Sequence, residues 1–108
     1  MAKSTVLHGN ILSRSAIAPS LTPAEVAAAT TAVQNFTIPG LQTTDLVRVH
    51  YSGVQTAGVF VASARVSAAN TLALTFANVT AGALTPAAGS YNVQIDSPED
   101  NPLPVNAV

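Results

Sequence analysis

Seven residues, Thr71-Leu72-Ala73-Leu74-Thr75-Phe76-Ala77, constrain the fold of this chain more than any other stretch. Leu72, Leu74 and Phe76 share one parity, and Thr71, Ala73, Thr75 and Ala77 share the other. Successive side chains of a strand leave opposite faces, so this pattern predicts one covered face and one wetter face. The run before it, Val59 to Val66, places Phe60, Ala62, Ala64 and Val66 on an apolar even parity, with Ser63 and Arg65 on the other. Ser67-Ala68-Ala69-Asn70 joins the two runs. Asn tolerates the left-handed conformation that tight hairpins require, so a hairpin is expected here. A third run, Tyr91 to Ile95, places Tyr91, Val93 and Ile95 on one face.

The rest of the chain fits the same pattern. Asp45 to Tyr51 reads as a strand with Val47, Val49 and Tyr51 on one face and Arg48 and His50 on the other. Pro39-Gly40 is a turn dipeptide, with Gly at the position of a type II turn that needs positive φ. Two readings compete over Pro23 to Val33. Thr22-Pro23-Ala24-Glu25 has the cap, proline and glutamate of a helix start. The β-branched Thr30, Thr31 and Val33, and the shared parity of Val26, Ala28, Ala32, Phe36 and Ile38, favour extended chain. The balance leans to a strand entering Gln34 to Ile38. Asn78 to Gly89 reads as the longest loop.

At 108 residues the chain has the length of one domain with a modest core. The expectation is an all-β fold, a small antiparallel β-sandwich or jelly-roll-like barrel with extended N- and C-terminal arms. Residues 1–21 form an arm or edge strands, 22–96 the sandwich body, and 97–108 a tail held extended by Pro98, Pro102 and Pro104.

Charge is sparse. Asp, Glu, Lys and Arg make up 8% of residues, against about 25% in ordinary domains, and the net charge is -1. Copies of such a chain repel one another weakly, which favours a subunit packed against neighbours. Lys3, Arg14, Arg48 and Arg65 are scattered singly, which argues against nucleic acid and against a basic membrane-surface helix. No apolar run approaches the roughly 18 residues of a spanning helix. His8, Gly9 and Asn10 interrupt anything that could serve as a signal-peptide core.

No chemistry emerges from the motifs. Cysteine is absent, so thiolate chemistry and disulfides are excluded. His8 and His50 are far apart and lack ligand spacing, so no metal site is expected. Asp96, Glu99 and Asp100 match no calcium loop and read as a solvated exit from the last strand. No serine sits in a nucleophile elbow, and no phosphate-binding glycine loop is present. The sequons Asn35-Phe36-Thr37 and Asn78-Val79-Thr80 overlap strand sequence or its edge and read as chance. Tyr51, Tyr91, Phe36, Phe60 and Phe76 all lie on apolar parities, so core packing is expected for each. The expectation is a protein that is not an enzyme and carries no cofactor.

The run Ser63-Ala64-Arg65-Val66-Ser67-Ala68-Ala69-Asn70-Thr71-Leu72-Ala73-Leu74-Thr75-Phe76-Ala77, continued through Asn78-Val79-Thr80-Ala81-Gly82-Ala83-Leu84 to Tyr91, resembles a phrase of small bacteriophage virion proteins. Gln34-Asn35-Phe36-Thr37-Ile38-Pro39-Gly40-Leu41 resembles the strand and turn that precede it there. The resemblance spans roughly Gln34 to Ile95 and is closest to capsid cement (decoration) proteins. It implies a non-enzymatic module on the capsid surface, made in the host cytoplasm. Its partners would be the major capsid protein and other copies of itself. A tail or head-fibre module, or a glycan- or host-surface-binding module, is the alternative. The segments expected to make contacts are the two arms, through Lys3, Thr5, Leu7, His8, Ile11 and Arg14 on one and Pro98, Pro102, Leu103, Pro104 and Val105 on the other.

Overall fold

The computed structural model describes residues 11–99. It is all-β, with two antiparallel sheets packed as a small sandwich. The strands are β1 (Ile11–Ile17), β2 (Ser20–Leu21), β3 (Thr31–Thr37), β4 (Leu46–Tyr51), β5 (Val59–Ala68), β6 (Thr71–Asn78) and β7 (Gly89–Pro98). One sheet has the order β3-β6-β5. In the other, β7 is central, with β1 and the short β2 along one side and β4 along the other.

The centre of the core follows the alternation of β6 and β7. Leu72, Leu74 and Phe76 of β6 are fully buried, as are Tyr91 and Val93 of β7. Burying one such side chain contributes about 1.5–3 kcal/mol before chain entropy is counted. Phe76 meets Tyr91 edge to face, with centroids 6.5 Å apart, and Tyr51 lies 4.8 Å from Tyr91. These rings join the sheets, because Phe76 comes from one and both tyrosines from the other.

The β5–β6 hairpin turns at Ala69-Asn70. Asn70 takes φ +62° and Ala69 does not share the positive φ, so the turn is not the primed type that needs both. A register shift between Val66 and Ala68 absorbs the difference as a bulge. The same asparagine anchors the Pro39-Gly40 turn. Its Oδ1 accepts from the Gly40 N–H at 2.8 Å, and its carbonyl accepts from the Ile38 N–H at 2.9 Å. Gly40 has φ +94°, as a type II turn requires.

Residues 23–33 form no helix. Thr31 to Thr37 pair residue by residue with Ala77 to Thr71 of β6, and a helix running to Val33 would lift three of these off the sheet. Upstream, Val26 is fully buried and exchanges backbone hydrogen bonds with Leu84 at 2.7 and 3.0 Å. Gln34 completes the arrangement by imitating a strand. Its side-chain amide accepts from Ala24 N–H at 2.8 Å and donates to Ala24 C=O at 2.9 Å. Long-range pairing therefore overrides the local helix start.

The boundaries move at both ends. Leu21 is buried in the core, although the sequence places it at the end of an arm. The last strand runs to Pro98, so Ser97 and Pro98 belong to the sheet and not to a tail. Proline is tolerated there for a geometric reason. The Tyr91 N–H donates to Pro19 on the β2 side and the Ser90 C=O accepts from Ser52 on the β4 side, so even-numbered residues of β7 turn their backbone groups to β4. The last β4 partner is Leu46, opposite Asp96, so Pro98 has no ladder bond to lose.

Candidate functional site

Two surfaces stand apart from the core. The first is the outer face of the β3-β6-β5 sheet. Cross-strand partners share a face, so the register builds it in rows: Thr31–Ala77–Phe60, Val33–Thr75–Ser63 and Asn35–Ala73–Arg65. Val33 is 60% exposed and Phe60 47%. A shallow groove of about 500 Å³ borders the first row, lined by Ala29, Thr30, Thr31, Ala77, Asn78 and Val79. Arg65 is the single charge in these rows.

Phe60 overturns the expectation that every aromatic packs inward. The cause is a second bulge. Val61 pairs with Phe76 and Ser63 with Thr75, leaving Ala62 as an extra residue. A one-residue insertion exchanges the faces. Val59 and Val61 point inward before it, and Ala64 and Val66 after it. Even parity is therefore the apolar side only beyond the bulge. The other rings, Phe36, Tyr51, Phe76 and Tyr91, lie in or against the core.

The second surface is the end of the sandwich where β1 meets the close of β7. Ile11 is the Cα partner of Pro98 and Arg14 of Asp96, so three of the residues singled out for contact, Ile11, Arg14 and Pro98, fall together. Ile11 is half-buried, Arg14 exposed and Pro98 buried. Lys3, Thr5, Leu7 and His8, and Pro102, Leu103, Pro104 and Val105, lie outside the described residues.

Asp96 is no solvated exit. It is buried, and the Arg14 guanidinium donates to both its oxygens, at 2.8 and 3.4 Å. Arg14 lies 82 positions away in the chain, a separation no spacing rule reveals. The Arg14 hydrogen bonds hold the Asp96 carboxyl below its ordinary 3.8. A depressed folded pKa gives stability that is present above the unfolded value and lost as pH falls through the folded one. Arg14→Gln should raise the Asp96 pKa in a carboxyl-carbon NMR titration and flatten the loss of stability as pH falls below about 4. An unchanged Asp96 titration would overturn this assignment.

Other polar side chains tie loops to strands. Asp45 accepts from the Gln42 N–H at 3.0 Å and from the Ser97 hydroxyl at 2.9 Å. The Tyr91 hydroxyl donates to Ala87 C=O at 2.6 Å and accepts from Gln55 Nε2 at 3.0 Å, and burial pushes its pKa up. His50 is exposed, 3.1 Å from Asn92 Nδ2. Among the described residues, no three His, Asp or Glu side chains come together. The two surfaces are a sheet face on which Phe60 and Val33 stand exposed among Thr31, Ser63, Thr75, Asn35 and Arg65, and a strand edge. No family model matches the chain, nor does any curated protein or solved structure.

Proposed function

We propose that the chain is a non-enzymatic structural protein of a bacteriophage particle, a cement protein that binds the outer shell and bridges neighbouring capsid subunits. One observation carries the reading. On a chain with only 8% charged residues, the outer face of the β3-β6-β5 sheet leaves Phe60 and Val33 uncovered, and Thr31 and Ala77 of its first row line a groove together with the exposed Val79. Such a face gains by being covered, and a nearly uncharged surface lets many copies lie close together. The major capsid protein is the proposed occupant. Each copy would bury a modest patch, and repetition over the shell would supply the stability.

Phe60 also favours a second reading, a glycan- or host-surface-binding module, because an exposed ring beside a groove is what sugar stacking uses. A tail or head-fibre module is the remaining alternative within the particle.

Co-sedimentation of the purified chain with phage particles lacking it, with copies counted by gel densitometry, separates these readings. Cement requires copy numbers near that of the major capsid subunit and weaker particles when the chain is absent. A handful of copies assigns the chain to tail or fibres, and no association sinks the particle reading. Phe60→Ser should weaken particle binding about tenfold or more, since losing a buried ring costs about 1.5–3 kcal/mol and 1.4 kcal/mol is tenfold. Circular dichroism should show its fold unchanged.

A further inference from the structure

We propose that the free edge of β1 pairs with β1 of a second copy, antiparallel about a two-fold axis at Ser15, so that one sheet runs through two molecules. β1 differs from the other edges in being exposed on both faces. β4 and β5 pack on each other, β2 is only two residues long, and β3, which among the described residues also has no backbone partner on its outer side, is half-buried at alternate residues, where Gln34 reaches the Ala24 backbone. Beyond β1, among the described residues, there is no further strand. Leu12 to Ile17 are all exposed, and among the described residues β1 packs chiefly on β7. An edge left this way is usually guarded by charge or proline. Within β1 the only charge is Arg14, which Asp96 neutralises, and there is no proline.

The phase of the ladder decides which groups are free. Odd-numbered residues of β7 turn toward β1, as the Tyr91-to-Pro19 bond shows, so Ser13, Ser15 and Ile17 spend their backbone groups on β7. Arg14 and Ala16 therefore present N–H and C=O outward. A second strand must oppose outward residues to outward residues. A two-fold at Arg14 would set two arginines face to face, which is unfavourable. A two-fold at Ala16 would carry Arg14 past the end of the partner strand. A two-fold at Ser15 pairs Arg14 with the second copy's Ala16 on both sides and uses the whole straight stretch. That stretch begins after the bulge at Leu12 and ends at Ile17, with Ser15 at its centre. Both narrow pairs exchange their two bonds, and a net charge of -1 opposes the approach only weakly. The occupant is thus a copy of this chain, because its own edge is the complement.

The pairing deepens the reading of the chain as an assembly protein, but stands on the edge geometry alone. The chain has no cysteine, so single-cysteine variants are unambiguous. The two Ser15 residues form a non-hydrogen-bonded pair with Cα atoms about 4.5 Å apart, within disulfide range. Mild oxidation should link Ser15→Cys into a covalent dimer and leave Ala16→Cys, whose copies sit about 7–8 Å apart on the diagonal, largely unlinked. In analytical ultracentrifugation the native chain should sediment as a dimer. Ala16→Pro, which removes an outward donor and no intramolecular bond, should be a folded monomer. A native monomer overturns the proposal, whether its Arg14 and Ala16 amides exchange freely or are protected by residues 1–10. Efficient linking of Ala16→Cys in place of Ser15→Cys overturns the axis, and a dimeric Ala16→Pro overturns the edge. A monomer that still co-sediments with particles refutes the pairing and leaves the cement reading intact. A dimer that binds none does the reverse.

Discussion

Phe76→Ala should cost about 4 kcal/mol, the largest loss expected from any single truncation in this chain. Phe76 is fully buried at the middle of the sandwich, on the central strand of its sheet. Its ring stands edge-on to Tyr91 of the opposite sheet and is opposed across the strands by Ala32 and Val61. Alanine removes the transfer energy of a phenyl group and leaves a cavity, since these neighbours belong to paired strands that cannot close in. A domain of this size has about 5–15 kcal/mol in total, so the variant should unfold at a far lower urea concentration with an unchanged slope. A loss below about 1.5 kcal/mol would mean that the sheets are not held together through this ring.

Asn78→Ala should cost about 3 kcal/mol for a different reason. Asn78 is buried at the end of β6, and its amide satisfies both ends of a loop closure. Nδ2 donates to Val26 C=O at 3.1 Å and Gly82 C=O at 2.9 Å. Oδ1 accepts from the Thr80 N–H at 2.9 Å and the Thr80 hydroxyl at 2.7 Å. Alanine leaves the Thr80 N–H without a partner and takes one donor each from Val26 C=O and Gly82 C=O, which keep only the Leu84 N–H and the Thr80 hydroxyl. Asn78→Asp is the sharper probe, because it places an oxygen against two carbonyl oxygens. Its charged form is disfavoured in the fold, so its pKa there must rise. Sign follows from that rise. The deficit should be smallest at acid pH, where the carboxyl can donate a proton, and should grow as pH rises above the unfolded value near 4. Equal costs for the aspartate at pH 3.5 and pH 7 would refute the network as described.

Comparing these two residues shows what the sequence makes legible. Phe76 announces itself through alternation with Leu72 and Leu74, because strand periodicity is a local property. The Asn70 turn and the Pro39-Gly40 turn are legible for the same reason, since backbone conformation is chosen by the residue that adopts it. Asn78 reads only as part of a chance sequon, because its partners at Val26 and Gly82 arrive by tertiary folding. Arg14 and Asp96 are hidden in the same way. Phe60 is the more instructive failure. The parity is read correctly only beyond the bulge, at Ala64 and Val66; a bulge at Ala62 has no signature in an alanine-rich strand, and one extra residue puts Val59 and Val61 inside and sends the ring of Phe60 outward. The candidate surfaces were thus the least legible part of the molecule, since both depend on which strand lies next to which.

The meeting of Ile11 with Pro98 has a mechanical consequence. Tension applied through the chain on both sides of the domain would pull these two partners directly apart. The ladder between β1 and β7 would then be loaded one rung at a time, as a zipper is, instead of all its bonds sharing the load in shear. β1 should therefore peel away at low force, with the sandwich from Leu21 onward left whole. A strain gauge of this kind yields before the body it is attached to.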